Sequence, residues 1–309
     1  MLVLYEEISK YDFDRARFIS SFSSVLAKLK GEGDKLLSFY DVKKLLGPYK
    51  EVYSGMQHVP IAKIVGSEGR YKDFNVKFLP KREFLRSRWQ NINIAHYKNV
   101  ILPPVKLYQV GDVYFVRDGN HRVSVAKSQG IEFVDAEVVY LKTKINIMPG
   151  MDINEIKTKV IEFEKERFLK KTNLNSMRDN VQLDFTAIGR YDALLQHIAG
   201  HQYYLGLAKK REILFTDAIL SWYDNVYIPI VTEIRNTKIL KTFTNRTESD
   251  LYVWIVKHWD LSKKKNKNTK ISDAILDFIK KYGKRKSKKS NMNKFFKFFI
   301  NPDKKNKKG

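Results

Sequence analysis

One stretch of the chain, from Leu107 to Leu141, constrains the fold more than any other. β-Branched and aromatic residues alternate from Asp112 to Val116, which predicts a strand. A turn composition follows, then a short helix from His121 that ends before Gly130, then a second strand from Phe133 to Tyr140. A strand, a tight turn, a short helix and another strand in close succession predict a domain in which helices pack on a sheet.

The turn between the first strand and the helix predicts an anion site. Such a turn leaves the first backbone N–H groups of the helix unpaired, at the positive end of the helix dipole. Gly119 lets a phosphate approach the backbone without a Cβ in the way, and Arg122 is placed to fork onto phosphate oxygens. The alternative is structural: Asp118 is only an N-cap, and His121 and Arg122 form a solvated first turn.

The string DGNHR, from Asp118 to Arg122, resembles the nucleotide-binding signature of the ParB/sulfiredoxin superfamily. In that superfamily an Asp-Gly-x-x-Arg or Gly-x-x-Arg element opens a helix and holds the phosphates of a nucleotide. Its members include ParB-type partition proteins that bind CTP and DNA, sulfiredoxins, and free-serine kinases. The resemblance covers the chain from about Val59 to Leu141. Sulfiredoxins carry a reactive Cys in this element, whereas this chain has Asn120 there and no cysteine, so their chemistry is excluded.

The resemblance implies a nucleoside triphosphate, CTP or ATP, bound together with Mg²⁺. Its phosphates are expected at Gly119, Asn120, His121 and Arg122. An early Arg helps to close the pocket in ParB-like proteins, and Arg70 is our candidate, with a plain surface arginine as the alternative. Asp118 would orient Arg122 or act as a metal ligand, because hard oxygen ligands suit Mg²⁺. If the chain is an enzyme, the candidate catalytic residues are Asp118, His121 and Glu68, the last because the resembling kinases take an acidic base from this early region.

The segment from Lys81 to Tyr97 predicts a helix with a basic outer face. Its four basic residues are Lys81, Arg82, Arg86 and Arg88. Such a face can follow a phosphate backbone, line the nucleotide pocket or simply be solvated.

The predicted fold class is α+β, with four regions. These are a helical lead-in (1–50), a small mixed-sheet ParB/sulfiredoxin-like domain (51–148), an all-α domain (149–260) and a basic, partly disordered tail (261–309). An apolar stripe between Phe13 and Lys30 predicts a helix in the lead-in, and the lead-in is expected to pack on the following domain. The helical half resembles a bacterial helical domain of unassigned activity that accompanies ParB-like regions, and Thr247 and Asp250 have the spacing of a capping box.

Charge is concentrated at the end of the chain. The formal charge is +24 at pH 7, and residues 262–309 contain 18 Lys/Arg against 3 Asp/Glu. This tail predicts contact with nucleic acid or anionic lipid, or a purely solubilising role. No apolar run is long enough to span a bilayer, the N-terminus lacks a signal-peptide pattern and there is no cysteine, so we expect a cytoplasmic protein. A homodimer is left open.

The expected function is therefore nucleotide binding of the ParB-like class, in which the nucleotide regulates binding of nucleic acid or another partner. One alternative is a phosphotransfer enzyme, a small-molecule kinase or nucleotidase, because positioning and charge neutralisation suffice for that chemistry. A ParB-like nuclease is the other, and it would need clustered carboxylates for metal-dependent cleavage. The sequence shows no helix-turn-helix pattern after the signature domain, which argues against sequence-specific DNA binding of the partition-protein kind.

Overall fold

The computed structural model describes residues 2–31, 33–47, 49–264 and 266–283. Two compact units divide the chain, Met1–Val160 and Ile161–Gly309. The fold is α+β, as the sequence predicts, with one mixed sheet and several helices. The predicted basic tail lies outside the described residues from residue 284 onward. Among the described residues, no helix combines the length and apolarity needed to cross a membrane.

The first unit is built on a six-stranded sheet in the order β1-β3-β5-β4-β6-β2. The strands are β1 (Leu37–Ser38), β2 (Lys50–Pro60), β3 (Ile64–Ser67), β4 (Val105–Val110), β5 (Val113–Asp118) and β6 (Phe133–Lys142). The pairs β1/β3, β3/β5 and β4/β6 are parallel, whereas β4/β5 and β2/β6 are antiparallel. β5 is therefore an interior strand of the sheet, and the DGNHR turn begins at its C-terminal end.

Helices cover both faces of this sheet. They are α1 (Leu2–Lys30), α2 (Phe39–Leu46), α3 (Arg86–Tyr97), α4 (Asn120–Ser128) and the first part of α5 (Ile153–Thr172). Along β5, Tyr114 and Val116 pack into one apolar cluster with residues of α1, α3 and α4. Val113 and Phe115 point the other way, into a cluster with residues of α2 and α5. This alternation buries β5 on both sides and holds the turn that follows it in a fixed place.

α1 contacts the rest of the first unit through a largely polar face. Asp12 Oδ2 accepts hydrogen bonds from Asn93 Nδ2 at 2.9 Å and from Tyr97 Oη at 2.6 Å, both on α3. Phe13 is fully buried and lies edge-on to Trp89, with ring centroids 5.5 Å apart. α1 packs on the domain, as expected of the lead-in, but only part of the apolar stripe between Phe13 and Lys30 is buried there. Six residues of the stripe are exposed, namely Phe18, Ile19, Phe22, Val25, Leu26 and Leu29.

The second unit is helical around an aromatic core. Its helices are the rest of α5, α6 (Leu174–Met177), α7 (Arg190–Lys209), α8 (Phe215–Trp222), α9 (Ile228–Asn236), α10 (Glu248–Lys263) and α11 (Ile271–Phe278). A π-helical turn, Tyr223–Tyr227, joins α8 to α9. Thr247 and Asp250 form the predicted capping box at the start of α10. Asp250 is fully buried and also accepts hydrogen bonds from the backbone and hydroxyl of Thr186.

Candidate functional site

The turn between β5 and α4 is shaped by Gly119. This residue has φ +100°, in the left-handed region, and a Cβ there would lie 2.7 Å from Val105 Cγ1. The hydrogen-bond ladder of α4 begins with Val123 N donating to Gly119 O at 3.0 Å. The N–H groups of the three residues before Val123 precede that ladder, which gives the turn the partial positive charge of a helix N-terminus.

Arg122 stabilises this turn through hydrogen bonds. Its Nη1 donates to the carbonyls of Pro103 and Pro104, at 2.9 Å for Pro104, and its Nη2 donates to Asp118 Oδ2 at 2.6 Å. The side chain is only 17% exposed. Arg122 thus ties the loop before β4 to the first turn of α4 and still contributes its charge to the pocket beside it.

Arg70 and His121 meet in the structure although they are distant in sequence. Arg70 Nη1 lies 2.9 Å from His121 Nε2. Because a guanidinium only donates, Nε2 must accept, so the neutral ring carries its proton on Nδ1. Burial lowers the pKa of His121 to about 4, and the charges of Arg70 and Arg88 add to the effect. His121 is therefore a neutral support for Arg70 at physiological pH.

A pocket of about 220 Å³ opens where these elements meet. The lining residues are Gly69, Arg70, Arg88, Ile92, Arg117, Asp118, Gly119, Asn120, His121 and Arg122. Four of them are arginines and one is a carboxylate, so the charge of the lining is strongly positive. We call this cavity the arginine pocket. Its composition, together with a helix N-terminus, is what an anion of several charges requires.

Two of the four arginines are not among the nucleotide-site residues that the family resemblance implies. Arg88 lies on α3, where pocket lining is one of the three alternatives for the basic face, and Arg117 lies on β5 next to Asp118. Arg117 has its guanidinium 5.6 Å from the ring centroid of Tyr108. An exposed arginine at the end of an otherwise buried strand is the sequence signal for Arg117, because a charge at that position is not buried in the core.

Two buried side-chain atoms of the turn have no hydrogen-bond partner within the described part of the chain. They are Asn120 Oδ1 and His121 Nδ1. An unsatisfied buried polar atom costs free energy, so such atoms are found where a ligand or a solvent molecule supplies the missing partner. Both residues line the arginine pocket.

Of the other predicted site residues, Asp118 lies at the pocket and Glu68 does not. Asp118 stands at the pocket with its side chain 57% exposed. Glu68 follows β3, and its backbone N–H donates to Val116 O at 2.9 Å, but the residue is exposed and is not part of the pocket lining. Its charge instead adds to the burial that raises the pKa of Tyr108. Among the described residues, no group of three His, Cys, Asp or Glu side chains is arranged to hold a metal ion.

A second pocket, of about 170 Å³, adjoins the first. Its lining residues are Ile92, His96, Leu102, Pro103, Pro104, Val105, Arg122, Val125, Ala126, Ile131, Phe133, Val134 and Asp135. Ile92 and Arg122 belong to both pockets. We call it the apolar pocket, because its walls are mostly apolar, with His96, Arg122 and Asp135 as the polar exceptions. The two cavities are therefore neighbours, and we call the pair the composite site, with a charged part and an apolar part.

Comparisons of the chain with protein-family models, with curated proteins and with solved structures found no match. The geometry of the composite site and the character of its side chains therefore carry the assignment of function.

Proposed function

We propose that this chain binds a nucleotide, with the phosphates in the arginine pocket at the DGNHR turn. The observation that carries the proposal is that four arginines and a helix N-terminus line one cavity of about 220 Å³. A triphosphate carries several negative charges in a compact volume, and guanidinium groups match phosphate oxygens in geometry and charge.

The apolar pocket supports a nucleotide over a simple anion. A nucleobase is a flat ring of low charge, and it gains by leaving water for a cleft lined by aliphatic side chains. His96 and Asp135 are placed in that lining to read polar edges of a ring. Inorganic phosphate or a nucleic-acid backbone would use only the arginine pocket.

The proposed arrangement is of the ParB/sulfiredoxin-like kind, and the bound nucleotide regulates binding of nucleic acid or another partner. The mixed sheet that leads into a glycine turn and a short helix supports the first part. The formal charge of +24 supports a polyanionic partner, because basic proteins gain affinity for nucleic acid through counterion release. Asp118 would be the protein ligand of a Mg²⁺ ion bound with the nucleotide, since Mg²⁺ is commonly held by one or two carboxylates plus substrate phosphates.

Phosphoryl transfer is the second candidate, and the position of Asp118 favours it. An exposed carboxylate at the edge of a phosphate pocket can hold the metal ion that neutralises charge during transfer. His121 is poorly suited as the base, because its Nε2 accepts from Arg70 and its pKa is about 4. Asp118 would then be the only one of the three candidate catalytic residues with its side chain available at the site.

Isothermal titration calorimetry of the full chain with ATP, CTP and GTP in the presence of Mg²⁺ tests the proposal. We expect one of the three to bind, and Arg88→Ala and Arg117→Ala each to weaken binding by about tenfold or more, as expected for a charge-assisted contact of about 1.5–3 kcal/mol. These variants are better tests than Arg122→Ala, which also releases the Pro103–Pro104 loop. Arg82→Ala is the matched control, since Arg82 is exposed and outside the pocket lining.

Tripolyphosphate in the same assay separates the two pockets. If only the arginine pocket is used, tripolyphosphate and the nucleotides bind with equal affinity, and the base has no site. No binding of any nucleotide, or equal weakening by Arg82→Ala and Arg88→Ala, would contradict the proposal. Chromatography of the nucleotide after prolonged incubation distinguishes a regulator, which leaves it intact, from an enzyme, which converts it.

A further inference from the structure

α1 has its polar and apolar faces reversed relative to an ordinary surface helix. Its buried residues are Ser9, Phe13, Ala16 and Ser20, of which only Phe13 is a large apolar side chain. On the opposite face, Leu4 is 60% exposed, Phe18 72% and Leu29 78%. A contiguous apolar face of this kind on the surface of a protein marks an interaction site.

The exposed face follows a heptad pattern, the signature of a coiled coil. Its d positions are Leu4, Tyr11, Phe18 and Val25, which recur every seven residues. Its a positions are Ile8, Arg15, Phe22 and Leu29, each four residues further on. The only charged residue among these eight is Arg15. We call this set the heptad face; it extends over nearly the whole of α1.

We infer that the chain forms a homodimer in which the heptad face of α1 packs antiparallel on the same face of a second copy. In an antiparallel pair every a position meets a d position of the other helix. The sequence satisfies this in register: Leu4 meets Leu29 of the second copy, and Tyr11 meets Phe22. A helix that pairs with itself in this way gives a closed two-fold dimer.

Arg15 favours the antiparallel orientation of the two α1 helices over the parallel one. In the antiparallel register its guanidinium lies against the ring of Phe18 of the second copy, a favourable cation–π contact. Glu7 then faces Lys28 across the flank of the pair. A parallel pair would instead bring the two Arg15 side chains together in the core and would set Glu7 beside Asp12, with like charges in both places.

The area is sufficient for a stable dimer. The exposed fractions of the heptad-face side chains correspond to roughly 700 Å² per copy, taking about 150–250 Å² for a fully buried aromatic side chain. Specific interfaces bury about 800 Å² per partner. The face is therefore close to a complete interface without contributions from other parts of the molecule, and the dimer does not depend on the nucleotide site.

Sedimentation equilibrium of the full chain tests the dimer. We expect the mass of two chains at micromolar concentration, and a shift to one chain when Phe18→Glu and Phe22→Glu are combined. Ile101→Glu is the control, because Ile101 is 96% exposed and lies outside α1, so the same change there should leave the dimer intact. A monomer throughout the concentration range, or a dimer that survives the double change, would overturn the inference.

Crosslinking tests the orientation without disturbing the interface. The chain contains no cysteine, so introduced thiols report only on themselves. A mixture of Leu4→Cys chains and Leu29→Cys chains is expected to form a disulfide-linked heterodimer on mild oxidation, whereas Leu4→Cys alone is expected to remain uncrosslinked. Efficient crosslinking of Leu4→Cys to itself would show a parallel pair and refute the antiparallel register.

Discussion

Gly119→Ala should destabilise the first unit more than the same change at the other end of the same helix. At Gly119 the substitution meets two costs. A side chain at φ +100° is strained by about 1–2 kcal/mol. In addition, the new Cβ would lie 2.7 Å from the buried Val105, and relieving such a contact in a packed core costs about 1–3 kcal/mol. We therefore expect a loss of about 2–5 kcal/mol in the free energy of unfolding.

Gly130→Ala is the matched control. Gly130 follows the C-terminus of α4 with φ +71°, and a Cβ added there would have no atom of the described chain within 4 Å. Only the backbone cost of about 1–2 kcal/mol applies. Amide hydrogen exchange of α4 in the full chain measures both changes, because its opening free energy reports on the first unit alone.

A double-mutant cycle separates the two costs at Gly119. Because Val105→Ala removes the atom that the new Cβ meets, the double variant Gly119→Ala/Val105→Ala should lose at least about 1 kcal/mol less than the sum of the single losses. Strict additivity, or equal losses for Gly119→Ala and Gly130→Ala, would refute the reasoning from packing.

Three further predictions concern charge. Asp118→Asn removes the carboxylate of the arginine pocket, so we expect nucleotide to bind about fivefold more tightly without Mg²⁺, and Mg²⁺ to cease to help, in calorimetry with and without the metal. His121 has a folded pKa of about 4, below its unfolded value, so its contribution to stability is complete above about pH 6.5 and is lost as the pH falls toward 4; urea unfolding at pH 7.5 and 4.5 should show about 2–3 kcal/mol less acid destabilisation in His121→Gln. Asp250→Ala leaves the donors of Thr186 and Thr247 without their acceptor and should cost about 2–4 kcal/mol in thermal unfolding, with a smaller loss for Asp250→Asn, which keeps an acceptor oxygen.

The strand, turn and helix around DGNHR can be predicted because local chemistry determines them. Alternation along β5, a glycine at a positive φ and a helix closed before Gly130 are all properties of adjacent residues. The residues that contact this turn are harder to predict from the sequence. That Arg122 is held by the Pro103 and Pro104 carbonyls depends on how β4 lies beside β5, which is a tertiary fact with no local pattern.

The sequence does not predict most of β2 as a strand, and the reason is physical. In this region apolar residues indicate an extended segment only from Val59 onward, whereas β2 begins at Lys50. Most of β2 is exposed on both faces at the edge of the sheet, so it lacks the alternation of apolar and polar residues that marks a half-buried strand. Its place in the sheet comes from backbone pairing with β6, to which side-chain patterns contribute little.

The apolar residues of α1 are a second case in which the sequence pattern predicts only part of the structure. Periodicity correctly predicts a helix with an apolar face from Phe13 onward, but it does not specify what covers that face. The inward side uses Ser9, Asp12 and Phe13 to attach to α3, and this polar attachment has no periodic signature. A second helical period, of seven residues, is present in the sequence and identifies the face that remains.

The pairing of β2 with β6 also sets an order of events during synthesis. His58 and Asp135, which lie opposite each other on these strands, are 77 residues apart in the chain. A ribosome adds about 5–20 residues per second, so β2 emerges several seconds before the strand that it pairs with. Until β6 is made, the β2 segment has no strand to pair with, so its backbone groups and its apolar residues Val52, Tyr53 and Met56 are available for wrong pairing. The bulge at Gly55, which interrupts the regular spacing of the strand, is well placed to make such pairing with another chain unfavourable.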